Sequence, residues 1–125
     1  MKIVCNYNDC ENLPKGMNLR FNYGLEIGKT YLVMGIAFDS DDKIVHYLID
    51  DNGRPNLFPQ EIFKIVDNSI PTNWFISPNV GNITFLGFDE LCNQKGFYEK
   101  LMERDESTMR LYYRRKIELE NTNLF

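Results

Sequence analysis

"NLFPQEIFKIVD", residues 56–67, is the stretch on which the fold of the first half of the chain turns. Pro59 stands between the aromatic Phe58 and the polar pair Gln60-Glu61, and Ile62, Phe63, Ile65 and Val66 then crowd into five positions. Proline fixes φ near about −65° and has no backbone N–H to satisfy, so it suits the opening of a single 3₁₀ turn. The β-branched and aromatic residues after it read as a strand. A one-turn helix between two strands is therefore expected at Pro59.

The chain on either side has strand punctuation. "KIVCNY" (2–7) reads as a first strand, followed by a polar loop in which "LRF" (19–21) is expected to pair briefly with a neighbour. Residues 30–38 read as a strand, "DSDDK" (39–43) as a turn and "IVHYLID" (44–50) as the returning strand of a hairpin. In "DNGRP" (51–55), Asn52 and Gly53 tolerate positive φ and Pro55 stiffens the exit. Two further strands are expected within 70–77 and 82–88, split by "PNVG". From Asp89 the pattern turns helical. A first turn is closed by Gly96, and a longer helix is capped by Asp105 or Ser107. In that helix Met109, Tyr112, Tyr113, Lys116 and Ile117 recur at spacings of three and four, so one face should pack down. The expected architecture is α+β in a single domain, 1–125: a small barrel of about five strands over 1–77, then an extra strand and a helical tail over 78–125 packed on it.

Phe58-Pro59-Gln60-Glu61-Ile62-Phe63-Lys64-Ile65-Val66 resembles the end of an SH3 domain, where a Pro-opened 3₁₀ turn leads into a closing strand that pairs with the first. "LEIGKTYLVMGI" (25–36) is similar to the SH3 segment in which a Gly-Lys diverging turn precedes a strand. The resemblance covers about residues 2–67 and implies an SH3-like barrel. It does not extend to the proline-peptide groove: Ile62 stands where the groove tyrosine would be, and Trp74, the single tryptophan, follows the closing strand. The strands Gly28–Ile36, Tyr47–Asp51 and Phe63–Asp67 also resemble those of small bacterial proteins with a helical tail, some of them immunity proteins. That resemblance implies a protein that binds and blocks a cognate toxin.

Composition bounds the chemistry. The 125 residues suffice for one core, with 43% hydrophobic and 26% charged residues and a net charge of −4. That balance argues against a domain that coats nucleic acid and suits a basic protein partner. Cys5, Cys10 and Cys92 form no CxxC pair. The spacing of Cys5 and Cys10 beside His46 is a poor match to zinc ligation, so the thiols read as free and no metal is expected. "GRPNLF" and "GKT" lack phosphate-loop spacing, and no cofactor is expected. His46, the sole histidine, reads as a half-buried strand residue and is the one candidate base. No signal peptide or membrane span is read, which leads to the expectation of a cytoplasmic protein.

Two interaction surfaces follow. Asp39, Asp41, Asp42, Asp50 and Asp51 could form one acidic rim for a basic toxin, with Tyr47, Phe58 and Trp74 as aromatic anchors. The alternative is a nucleic-acid-binding regulator that uses Arg110, Arg114, Arg115 and Lys116 of "RLYYRRK", with tyrosines for stacking.

Overall fold

A computed structural model describes residues 1–7, 23–41, 43–78 and 81–122. Among them lie eight strands, a 3₁₀ turn and three helices: β1 (Lys2–Cys5), β2 (Thr30–Leu32), β3 (Gly35–Asp39), β4 (Val45–Asp51), β5 (Arg54–Pro59), the turn Gln60–Ile62, β6 (Phe63–Asp67), β7 (Phe75–Ile76), β8 (Ile83–Gly87), α1 (Asp89–Asn93), α2 (Phe97–Met102) and α3 (Glu106–Thr122). The class is α+β. "LRF" at 19–21 lies outside the described residues.

Pro59, at φ −66°, stands directly before the 3₁₀ turn, and β6 returns antiparallel to β1 with Ile3 opposite Ile65 and Cys5 opposite Phe63. The hairpin of β4 and β5 turns on Asn52 and Gly53, both at positive φ, as a tight turn between twisted strands requires. The 30–39 stretch is broken at Val33-Met34. Val33 N–H still donates to Met1 O in the first sheet (3.0 Å), while Met34 N–H donates to Leu48 O in the second (2.8 Å).

The strands therefore form two antiparallel sheets, β2-β1-β6 and β5-β4-β3-β8-β7, with no ladder joining their outer strands among the described residues. The five strands expected are extended by β7 and β8, which add to the free side of β3. The row Ile76–Leu86–Ile36–Tyr47–Phe58 crosses the larger sheet on one face and the row Phe75–Gly87–Gly35–Leu48–Leu57 on the other. Cross-strand neighbours share a face. The first row joins Met1, Ile3, Cys5, Tyr31 and Ile62 in a core against the smaller sheet, and the second meets Leu91, Phe97, Leu101 and Tyr112 of the helices. The larger sheet is covered on both sides except at its β7 edge, where Phe75 and Ile76 stay exposed.

The helices have their own local causes. Asp105 caps α3, its carboxylate accepting from Thr108 N–H (3.1 Å), Thr108 Oγ1 (2.7 Å) and Ser107 Oγ (2.9 Å). These bonds hold the Asp105 carboxyl below its ordinary value. Arg115 forks onto Glu90 with two bonds of 2.7 Å and fastens α3 to α1. The close approach of α1 depends on Gly35 and Gly87, which face each other across β3 and β8. A Cβ at Gly87 would lie 2.8 Å from Leu91 Cδ2 and 3.3 Å from Gly35 Cα. Gly87→Ala is accordingly expected to lower stability by about 1–2 kcal/mol through overpacking. Adding Leu91→Ala should cost less than the sum of the single changes, and thermal melts of the three variants measure this.

Candidate functional site

The acidic positions fall in two places. Asp39 accepts from Asp41 N–H (2.9 Å), Asn82 Nδ2 donates to the Asp41 carboxylate, and Ser40 N–H donates to Asn82 O (2.9 Å), so the β3–β4 turn is stapled to the chain before β8. Asp50 and Asp51 lie at the far end of β4, about 20 Å away at some 3.3 Å per strand residue. The structure does not bring the two pairs together as one rim. Asp42 lies outside the described residues.

Asp50 is drawn inward. Its side chain is 8% exposed and its Oδ2 accepts from Lys116 Nζ at 3.0 Å, while Tyr31 donates its hydroxyl to Asp51 Oδ1 at 3.4 Å. Beside this pair, Asp50 Oδ1 and the hydroxyls of Tyr112 and Tyr113 are buried with no hydrogen-bond partner in the protein. Burial, with the Asp50 carboxylate second, pushes the Tyr113 phenol up to about 12.

Of the aromatic anchors, Tyr47 and Phe58 are core residues, 5% and 8% exposed, because their row faces the smaller sheet. Trp74 is half-buried and packs against both cores. The cations of α3 are largely engaged: Arg110 with Glu106 (2.6 Å), Arg115 with Glu90 and Glu118, and Lys116 with Asp50. Arg114 is exposed. His46 pairs with Ala37 and Pro59 on the helix-side face of the larger sheet, whereas Cys5 is in the core on its other face, so these two do not share a site. Cys10 lies outside the described residues. The Cys5 and Cys92 thiols are buried and their pKa values pushed up by that burial. Cys92 also directs its Sγ at Phe75 O (3.2 Å), tying α1 to β7. Among the described residues no group of three His, Cys, Asp or Glu side chains is placed to hold a metal ion, and no helix is long and apolar enough to cross a membrane.

Two features went unread in the sequence. The first is apolar. Ile65, Val66, Ile70, Phe75 and Ile76 are each left 46–72% exposed along twelve residues that run from β6 to β7. Among the described residues both strands are outermost in their sheets. Ile65 lies opposite Ile3, and Ile76 ends the Tyr47 row, so both point to the core side of sheets that do not cover them. The second is basic. Two hollows, of about 530 and 520 Å³, flank the β4–β5 turn and share Gly53 in their walls. Lys2, Lys29 and Lys116 line the first; Arg54, Arg104 and Arg110 line the second. These six cations come from five separate parts of the sequence, and no local cluster announces them.

Compared with protein-family models, curated proteins and solved structures, the chain matches none.

Proposed function

We propose that the chain is a non-enzymatic protein-binding module of the immunity type, which binds a cognate bacterial toxin and blocks it. The observation that carries this reading is the exposed apolar run 65–76 on two strands that are outermost in their sheets among the described residues. Exposed edge strands present unpaired backbone groups to an incoming chain, and native proteins ordinarily blunt them with charge. Here β6 has charge only at Lys64 and Asp67, and its other residues and both of β7 are isoleucine, valine and phenylalanine. Reading residues 2–67 as an SH3-like barrel is supported by the handover between sheets at Val33-Met34, the Pro59 turn, and the pairing of β6 with β1. The turn carboxylates Asp39 and Asp41 offer charge to a basic toxin surface, with Trp74, which lies within the stretch 65–76, as the aromatic anchor.

Capture with the tagged protein, beside an Ile65→Lys/Ile76→Lys variant, tests the reading. The expected result is one stoichiometric protein that survives high salt on the wild type and is lost from the variant, with toxicity relieved by the wild type alone. Both substituted side chains are exposed, so the variant should melt within a few degrees of the wild type. Nucleic acid as the sole bound species, released as salt rises, would sink the proposal in favour of a nucleic-acid-binding regulator.

A further inference from the structure

The basic face on either side of the β4–β5 turn has no part in the edge-strand reading. Its six cations meet three carboxylates, Asp50, Glu106 and Glu120, which leaves an excess of three positive charges on a chain whose net charge is −4. The two hollows are of ligand-pocket size. They are held open by built features: Arg104 Nη1 donates to Pro55 O at 2.6 Å, and Lys29 Nζ stands 5.2 Å from the centre of the Tyr31 ring. The Arg54 backbone pairs with Asp51 in the ladder, while its guanidinium makes no hydrogen bond or ion pair among the described residues, so its fork is available.

We propose that this face binds an acidic segment of a protein partner, one carboxylate entering each hollow. Arg110 and Lys116 are six residues apart on α3, about 9 Å along the axis at 1.5 Å per residue and roughly 120° apart around it, so each faces its own hollow on either side of Gly53. The lining chooses peptide over nucleic acid. Asp50, Glu106 and Glu120 interrupt the cations, so a backbone with a phosphate at every step would meet carboxylates, whereas a segment with spaced acids avoids them. Tyr31, 4% exposed, presents no open ring for a base, and Tyr113 is half-buried, edge-on to Tyr112 with its hydroxyl buried.

The probe is a fluorescent peptide with Glu at every third position among proline and alanine, compared by anisotropy with an oligothymidylate of equal charge. The peptide should bind the wild type, and Arg54→Glu/Arg110→Glu should weaken it by about tenfold or more. Arg114→Glu, an exposed charge reversal outside both hollows, should change binding by less than about twofold. Circular dichroism verifies folding, and Arg54→Gln/Arg110→Gln replaces the double reversal if that variant is disturbed. Absence of peptide binding, or equal loss in Arg114→Glu, overturns the proposal. Tighter binding of the oligothymidylate through the same arginines overturns it in favour of nucleic acid. The edge strands are untouched in these variants, so this face and the toxin-binding reading fail independently.

Discussion

Tyr112→Ala is expected to lower stability by about 3–5 kcal/mol, the range for truncating a large buried aromatic. Tyr112 is fully buried where α3 meets the larger sheet, its ring edge-on to Phe88 and Tyr113. A loss of that size is a large part of a small domain's total stability and would make α3 part of the folding unit. Urea unfolding followed by circular dichroism measures it, and a loss below about 1 kcal/mol would mean a dispensable helix. Tyr112→Phe separates ring from hydroxyl. The hydroxyl is buried without a protein partner, so its removal should be neutral or stabilising by up to about 1 kcal/mol. The same hydroxyl makes stability depend on alkaline pH. Burial first, then the Asp50 carboxylate and Tyr113, raise its pKa well above the ordinary 10.0. The folded state thus holds the phenolic proton more tightly than the unfolded chain does. The stabilisation is whole below pH 10.0 and lost as pH rises above it. Tyr31 and Tyr113, each pushed up to about 12, act in the same direction between pH 10 and 12. Tyrosinate absorbance should therefore rise together with unfolding, and less steeply in Tyr112→Phe.

Residues whose backbone chemistry is local could be read in the sequence. Pro59 opens its turn because a fixed φ and a missing N–H act within three residues. Asn52-Gly53 turns the hairpin because both accept positive φ, and Asp105 caps α3 by bonding three positions ahead. What went astray depends on which faces are covered. Strand alternation puts Tyr47 and Phe58 on one side of a sheet, but whether that side meets water or the smaller sheet is settled by β1 and β6, far away in the chain. The aspartates were grouped by closeness in sequence, while the extended length of β4 sets them at opposite ends. The helical spacing of Tyr112 and Tyr113 was legible, as was a packed face, but Ile117, which its spacing puts on that face, is 57% exposed. The use of Lys116, Arg104 and Arg115 as long-range ties to β4, β5 and α1 was not, since the Lys116–Asp50 contact spans 66 residues. The basic hollows share this origin, and so does the exposed run 65–76, whose apolar residues looked like ordinary core strand.

Lys116→Met should cost about 3 kcal/mol, against less than about 0.5 kcal/mol for Arg110→Ala, although both remove a cation of α3 from an ion pair. The difference lies in what remains. Arg110 and Glu106 have side chains 70% and 84% exposed, so Glu106 alone simply returns to water. Asp50 is 8% exposed and already has one oxygen without a partner, so losing Lys116 leaves a carboxylate with little contact with water. The expected cost sits at the lower end of the range for breaking a buried pair because Lys116 itself is 24% exposed. Methionine keeps most of the aliphatic stem, so the loss reports charge more than packing. Removing both charges is the decisive comparison. Asp50→Leu with Lys116→Met leaves no buried ion, and it should recover most of the single-variant loss or exceed wild-type stability. A double-mutant cycle by urea unfolding then gives the coupling of the pair. If Lys116→Met costs no more than Arg110→Ala, the Asp50 carboxylate is solvated in the folded protein, and the tie between β4 and α3 rests on Tyr112 and its apolar neighbours alone.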